Sequence, residues 1–264
     1  MNQSSSAESP RRGARRKADI SPSVLKQLNR GQLEAANLAE TLAIDFAKLL
    51  AAIVPGVPRA SLAAMRAASG TGVTRRMALA GQHLHTHFGP AGYIRLARHR
   101  SDTVRGWAAF LLAATPHLTL GERLRHLRYL ANDHNAGVRE WAWLSLRPLI
   151  ATDLTHAIDL LEPWTVSDSP FVRRFASEAT RPRGVWCAHL EPLKREPALG
   201  LPIIEPLRSD PHRYVQDSVA NWLSDAAKSQ PRWVRKMCAR WRDESPTPAT
   251  ERICRQAQRH MAKN

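Results

Sequence analysis

The chain of 264 residues carries 39 lysines and arginines against 23 acidic residues, a formal charge of +16. This charge favours a polyanionic partner: DNA, RNA or an anionic membrane surface. No stretch has the length and apolarity of a membrane span, and no secretory h-region lies near the start. The three cysteines, Cys187, Cys238 and Cys254, form no C-x-x-C pair and no even set. A disulfide framework is therefore not expected, and a reducing cytoplasm fits.

The start of the chain is polar and basic and has almost nothing to bury, so we expect disorder over residues 1–18. Its arginines either attract phosphate without specificity or only keep the chain soluble. From there on helix formers dominate, β-branched runs are scarce and no domain boundary is visible. We therefore predict one all-α domain over residues 19–264. Within it, residues 32–53 are predicted to form one amphipathic helix, which Val54–Pro58 ends.

An H-x-H-x-H run, His83, His85 and His87, lies in the next helical stretch. His83 and His87 share one helical face and are able to bind a metal there. No glutamate completes an H-E-x-x-H motif and no cysteine is close, so we prefer surface or packing histidines and predict no metal site. The chain also lacks the phosphate-loop, dinucleotide-binding and nucleophile-elbow signatures, which excludes those routes to catalysis.

From Gly89 onwards the chain is predicted to form helical hairpins, because a V-R-x-W-A pattern recurs with variation. Its copies begin at Val104, Val138 and Val172, with a looser copy at Val215, so the valines are 34, 34 and 43 residues apart. A period of this size with helical content is typical of a helical-hairpin solenoid, and HEAT-like repeats fit it best.

Phasing the copies on the valine separates two faces of each helix. Apolar residues fall three, four, seven and eight positions after the valine, which is a core stripe. A second stripe, two, six and ten positions after it, holds Glu140, Arg174, Glu178, Asp217, Asn221 and Asp225. Packed helices stand about 8–10 Å apart, so this stripe is able to gather several carboxylates and an arginine. The alternative is an ordinary solvated face.

The stretch Phe171–Trp186 is predicted to begin as a helix and to end as a loop. Pro182 cannot donate to a helix ladder and pushes the residue before it towards an extended conformation, so the helix should end near Thr180. The loop that follows carries Arg181, Arg183 and Trp186. Tryptophans off the core stripe can hold a cationic ligand by cation–π attraction or pack against a neighbouring loop. They are Trp143, Trp164 and Trp186.

Five stretches carry a resemblance to a known family: LNRGQLEAANLAETLAIDFAKLL, SDTVRGWAA, VREWAWLSLRP, FVRRFASEATRPRGVW and YVQDSVANWLSDAAKSQP. In this order and spacing the chain resembles the DNA alkylation repair glycosylases of the AlkC/AlkD superfamily, and more closely the AlkC branch. The resemblance implies a curved solenoid of HEAT-like repeats whose concave, basic face wraps damaged DNA. It also implies a monofunctional DNA N-glycosylase of base excision repair. Such an enzyme removes cationic alkylated bases of the 3-methyladenine type by hydrolysis, with no metal and no organic cofactor.

By the same resemblance, the active-site carboxylates are Glu140, Glu178 and Asp225. Carboxylates suit this reaction because they stabilise oxocarbenium character on the sugar and orient a water. The family arginine one turn before the second glutamate matches Arg174, and the tryptophan after TRPR matches Trp186. The remaining arginines are candidate contacts to DNA phosphates: Arg139 and Arg173 of the V-R pairs, Arg181 and Arg183.

The chain departs from the family pattern in two places. It has EATRPRGVW where family members commonly read EGTRPRLPW, so the loop with Trp186 is expected to be set differently. Some AlkC proteins also carry a C-terminal immunoglobulin-like domain that grips DNA. Nothing after residue 242 is expected to form one, so DNA affinity or lesion preference should differ.

The expected partner is double-stranded DNA with alkylated bases, bound by a monomer in the cytoplasm, at the nucleoid and not at a membrane. Two other functions stay open: a non-catalytic HEAT-like module that binds DNA or RNA structures, and a protein–protein scaffold whose basic charge is incidental. Acidic residues on a polyanion-binding face are costly, which favours the enzyme. Release of methylated bases would separate the enzyme from both alternatives, and salt-sensitive binding would separate the alternatives from each other.

Overall fold

The structure, a computed structural model, describes residues 11–261. These residues form α-helices joined by loops and short 3₁₀ turns, with no β-strand among them, which confirms the all-α prediction. The chain divides into two compact units, one up to Leu111 and one from Leu112. The single domain predicted over residues 19–264 stays a prediction. In the described range no helix is both long and apolar enough to span a membrane.

The first unit buries the apolar faces of short helices, and Leu49, Met77 and Leu84 are fully inaccessible in its core. Its last helix runs a few residues past Leu111. The helices are α1 (Pro22–Leu28), α2 (Leu38–Ala43), α3 (Phe46–Ile53), α4 (Arg59–Ala67), α5 (Val73–Phe88), α6 (Gly92–Ala97) and α7 (Asp102–Ala114).

The amphipathic pattern over residues 32–53 is divided between α2 and α3, so the prediction of one helix there was wrong. Each helix begins at a side-chain cap. The Asn37 side chain accepts a hydrogen bond from the Glu40 amide at 3.1 Å, and Asp45 accepts one from the Ala47 amide at 3.0 Å. Asn and Asp side chains compete for backbone N–H groups and so start a new helix where periodicity alone continues the old one.

The predicted disorder of residues 1–18 falls partly on residues 1–10, which lie outside the described residues. Residues 11–18 instead make defined contacts. Arg11 donates to both carboxylate oxygens of Glu40, at 2.7 Å to Oε1, and Glu40 is buried. The hydrogen bond from Arg11 lowers the pKa of the Glu40 carboxyl below its ordinary value. A buried carboxylate with such a partner anchors the segment to α2.

The second unit contains helices of 4 to 17 residues, and short helices join those that carry the repeat. Two 3₁₀ turns, Glu162–Val166 and Pro197–Gly200, complete the connections. The helices are α8 (Leu120–Ala131), α9 (Ala136–Thr152), α10 (Leu154–Leu161), α11 (Pro170–Ala179), α12 (Glu191–Arg195), α13 (Leu201–Ile204), α14 (Arg213–Ala227), α15 (Pro231–Glu244) and α16 (Pro248–Gln258).

The helices that begin with the V-R pattern pack side by side. α9 contacts α11, α11 contacts α14, and α14 contacts α16. Val138, Val172 and Val215, the residues on which the copies are phased, are all buried. So are Trp141 and Phe175, three positions further along their helices. The core stripe is therefore confirmed, and the polar stripes of three neighbouring helices come to lie next to one another.

The arginine of each V-R pair in this unit ties its helix to the turn before it. Arg139 and Arg173 each donate through Nη1 to the main-chain carbonyls six and five residues earlier, over 2.7–3.0 Å. Gln216 replaces the arginine in the fourth copy and donates to the carbonyl six residues earlier, at 2.8 Å. Buried carbonyls need such donors. The repeated V-R pattern is thus a folding signal that closes the turn between two helices.

Candidate active site

Three carboxylates from three neighbouring helices lie in one ion-paired row. Arg174 on α11 joins Glu140 on α9, at 2.6 Å, to Glu178 on its own helix, at 3.2 Å. Arg181, just after α11, joins the other oxygen of Glu178, at 3.2 Å, to Asp225 on α14, at 2.8 Å. Glu140, Arg174, Glu178 and Asp225 of the polar stripe predicted from the repeat therefore form one physical cluster rather than a solvated face. We call these four residues together with Arg181 the carboxylate row.

Every carboxylate oxygen of the row has a partner. The second oxygen of Glu140 accepts a hydrogen bond from Trp143 Nε1 at 2.8 Å, and that of Asp225 pairs with Lys228 Nζ at 3.1 Å. Glu178 and Asp225 are buried, and such carboxylates stay charged only with partners of this kind. Counting Lys228, three cations balance three carboxylates.

The two arginines of the row are held in their charged form. Burial alone lowers the pKa of the Arg174 guanidinium, but Glu178 and Glu140 beside it outweigh burial and raise the pKa above its ordinary value. The pKa of Arg181 is raised in the same way, because Glu178 and Asp225 outweigh burial there. Neither arginine can lose its proton near neutral pH, so the row changes charge only when a partner moves.

Accessibility is confined to the ends of the row. The Glu140 side chain is 30% exposed at one end, and Lys228 is 59% exposed at the other. Between them the side chains of Arg174 and Arg181 are only 13% and 14% exposed. Solvent or a ligand therefore reaches the row first at Glu140 and at the Lys228–Asp225 pair.

Trp186 stands beside this row on the loop after α11. α11 ends at Ala179, as predicted. Trp186 is 45% exposed and has a φ of 62°, a left-handed conformation that is uncommon for a bulky residue. Its ring stacks on the buried Trp141, with 6.1 Å between centroids and 16° between planes. Trp141 follows Glu140 in the chain, so the loop with Trp186 packs on the residue next to one end of the row.

The other two tryptophans off the core stripe are buried and pack inside the unit. Trp143 donates to Glu140, and Trp164 packs on Phe175 with 4.8 Å between ring centroids. For these two the packing alternative holds. Asp217, predicted on the same stripe as Asp225, lies outside the row and pairs with Arg252 at 2.6 Å.

Tyr214 is part of the site and was missed from the sequence. The Arg174 guanidinium lies 4.2 Å from the centre of its ring, and that of Arg139 lies 5.1 Å from it. Arg139 also donates to the Tyr214 hydroxyl. A cation–π contact on a desolvated guanidinium is worth about 2 kcal/mol, so Tyr214 helps to place Arg174. The aromatic residue before the fourth valine was the available signal.

Arg147 was also missed, and it holds the loop that carries Arg181 and Trp186. It is buried and donates to the main-chain carbonyls of Ala179, at 2.8 Å, Arg181 and Ala188. Burial lowers the pKa of its guanidinium below the ordinary value, with Cys187 nearby acting in the opposite direction. A lone cation in the apolar run WAWLSLRPLI was the signal for this role.

Gly184 marks the departure from the family pattern in this loop. A Cβ at Gly184 would lie 2.4 Å from the Cys187 sulfur, so a larger residue requires Cys187 to move. Burial raises the pKa of the Cys187 thiol, which keeps it protonated. The loop is thus packed around a glycine and a small thiol, and a setting different from that of the family stays a prediction.

The four arginines predicted at DNA phosphates all have partners inside the protein. Arg139 and Arg173 close turns, and Arg173 also pairs with the buried Asp210 at 2.6 Å. Arg181 donates to Glu178 and Asp225 of the row, and Arg183 donates to the Ser229 hydroxyl at 2.7 Å. Phosphate contacts by these residues stay a prediction that their geometry does not favour.

Residues 11–261 contain no group of three or more His, Cys, Asp or Glu side chains arranged to hold a metal ion. The His83–His87 run lies on α5 in the first unit.

The second unit is a stack of helices whose polar stripes meet in the carboxylate row. These features place the chain in the class of helical-repeat proteins with a charged site. The family described as DNA alkylation repair enzyme matches residues 108–261. This is more than half of the chain, so the chain belongs to that family and to the AlkC/AlkD superfamily. The matched region contains the whole carboxylate row.

Individual relatives differ in length, and the solved ones agree in fold. "Uncharacterized protein YhaZ" of Bacillus subtilis is 37% identical over 119 residues, which are 45% of this chain and 33% of that one. The alkylpurine DNA glycosylase AlkC of Pseudomonas fluorescens, solved bound to DNA containing an abasic site analog, superposes with a TM-score of 0.64 at 25% identity. AlkD2 of Streptococcus mutans gives 0.58 at 18% identity, over 86% of this chain and all of its own.

The superposition with AlkC covers 89% of this chain but 64% of the AlkC chain. This chain therefore spans a third of the curated relative and less than two thirds of AlkC.

Proposed function

We propose that this chain is a monofunctional DNA N-glycosylase of the AlkC branch that removes cationic alkylated bases of the 3-methyladenine type from double-stranded DNA. The observation that carries the proposal is the carboxylate row, with three carboxylates from three repeats held beside an exposed tryptophan. Family membership and the DNA-bound state of AlkC support it. On this proposal the chain acts as a monomer in the cytoplasm, at the nucleoid.

The chemistry suits these residues. A base alkylated at N3 carries positive charge and leaves readily, so strong protonation of the base is not needed. The C1′–N bond breaks, its electron pair stays on the base, and positive charge develops on the sugar. Water then adds to C1′ and gives a proton to a carboxylate. Carboxylates lower the energy of the cationic sugar and orient the water, as in glycoside hydrolysis.

Together with Lys228 the resting row is neutral, and this fits a cationic substrate. A positively charged base and sugar can replace one of the three cations, which leaves the carboxylates balanced throughout the reaction. Lys228 is the most exposed of these cations and the easiest to displace from Asp225. We assign water orientation to Asp225 and stabilisation of the sugar cation to Glu140 and Glu178. Trp186 offers an aromatic face to the charged base, and Arg174 positions two of the carboxylates.

The runner-up is a non-catalytic HEAT-like module that binds DNA or RNA structures. It is favoured by the pairing of both oxygens of Glu140, Glu178 and Asp225, which a purely structural ion network also shows. The two functions differ in one measurement, because only the glycosylase releases a free base.

The test is release of methylated bases from alkylated duplex DNA, followed in single turnover at saturating protein. Wild-type protein should release 3-methyladenine, and Asp225→Asn and Glu178→Gln should abolish release while they retain or tighten DNA binding. Asp217→Asn is the matched control, because it removes an acid from the same helix as Asp225 but outside the row. Absence of base release by wild-type protein would refute the proposal. A variant with the wild-type rate would remove its residue from the catalytic set.

A further inference from the structure

A basic groove borders the far end of the carboxylate row. It is a cavity of about 540 Å³ between the end of α14, the first turns of α15 and the end of α16. Its polar lining consists of Ser224, Lys228, Arg232, Arg235 and His260. Among residues 11–261, no carboxylate lines it. We call this cavity the basic groove.

Its cations are placed for an anionic ligand. Arg232 is exposed and makes no hydrogen bond or ion pair with any other described residue. Arg235 is half-buried on the next turn of the same helix. Arg232 has no partner among the described residues, and none of them adds an acid to the lining, so this concave site gains from a ligand that carries negative charge. α15 adds to this potential, because its first turn faces the groove and has no side-chain cap.

Lys228 belongs both to the groove and to the row. Its ammonium lies 3.1 Å from Asp225, and its side chain is 59% exposed. Lys228 is flexible and screened by solvent, and the buried Asp225 keeps its pair with Arg181, at 2.8 Å, when Lys228 leaves. A second anion in the groove can therefore draw Lys228 away from Asp225 at little cost.

We propose that the basic groove binds a phosphodiester of the damaged DNA strand through Arg232 and Arg235. Lys228 then moves from Asp225 to this phosphate and frees a carboxylate oxygen for the reacting water. This inference rests on the proposed glycosylase function and adds a link between DNA docking and exposure of Asp225. Binding of the DNA backbone in the groove therefore controls access to Asp225, because Lys228 covers this carboxylate until a strand is bound.

The binding test uses a duplex with a stable tetrahydrofuran abasic-site analogue, which binds without chemistry. Arg232→Ala and Arg235→Ala should each flatten the slope of log affinity against log salt by about 0.9. Between 50 and 200 mM salt each variant should therefore lose roughly 3.5-fold less affinity than wild type does. Arg255→Ala is the matched control, since it removes an exposed arginine of α16 that does not line the groove.

The link to Asp225 is tested with Lys228→Gln in single-turnover base release at saturating protein. Glutamine leaves Asp225 unmasked, so the rate should rise, by up to about five-fold, while affinity falls. A slower rate would overturn the link. The proposed phosphate contact in the groove would be refuted if Arg232→Ala and Arg235→Ala had the same salt slope as Arg255→Ala. In both cases wild-type protein still releases bases, whereas failure of the proposed function removes base release from wild type.

Discussion

Arg174→Ala is the most direct test of the carboxylate row, because this residue joins Glu140 and Glu178 and is 13% exposed. Its removal leaves Glu178 buried with Arg181 as its remaining cation in the row, and leaves Glu140 with the hydrogen bond from Trp143. Removing one partner of a buried ion pair costs about 3–5 kcal/mol. The partial exposure of Glu140 places the expected loss near the lower end, at about 3 kcal/mol.

The matched control is Arg252→Ala. Arg252 pairs with Asp217 at a similar distance, 2.6 Å, but Asp217 is 44% exposed. An exposed pair of this kind contributes at most about 1 kcal/mol, so urea unfolding should separate the two variants clearly. Arg174→Lys should recover only part of the loss, because one ammonium cannot replace a guanidinium that holds two carboxylates in a fixed geometry.

The same variants should differ in chemistry. Arg174→Ala should lower the single-turnover rate of base release at saturating protein as well as the affinity for DNA, because two of the proposed catalytic carboxylates lose their common partner. Arg252→Ala should change neither the rate of base release nor the affinity for DNA. If Arg174→Ala unfolds at the same urea concentration as Arg252→Ala, the row is not a buried network. If its affinity alone falls and the chemical rate is retained, Arg174 is a phosphate contact and the row is not one active surface.

Two further predictions concern buried groups. Burial raises the pKa of Asp102 to about 6, above its unfolded value of 3.8, so the protonated form favours the folded state and stability is lost as pH rises through 6. At 1.36 kcal/mol per pKa unit, urea unfolding should show wild type losing about 2 kcal/mol relative to Asp102→Asn between pH 4.5 and 7.5; parallel pH profiles would contradict this. Arg147→Met should cost about 2–4 kcal/mol, because three main-chain carbonyls lose a charged donor, and Arg147→Lys should recover little. Wild-type stability of the Met variant would show that these bonds contribute nothing net.

Local periodicity determined much of this protein from the sequence. An α-helix has 3.6 residues per turn, so phasing the copies on valines 34, 34 and 43 residues apart is enough to sort buried from polar positions. Because stacked helices are nearest neighbours, the polar stripe was able to gather several carboxylates, and the family resemblance selected Glu140, Glu178 and Asp225 among them. The end of α11 followed from the fixed geometry of Pro182. The two faces of each helix and the end of α11 needed only information within one helix or one repeat.

Side-chain partners were decided by the tertiary structure. The arginines of the V-R pairs were predicted to contact DNA phosphates, but the folded turns present main-chain carbonyls to them, and no sequence period records where a carbonyl points. The same is true of Arg181, whose partners Glu178 and Asp225 lie on two different helices. It reaches both because Arg147, 34 residues earlier in the chain, holds the carbonyl of Arg181 itself. A contact of this kind depends on the packing of whole helices, so it exists only once the repeats have stacked.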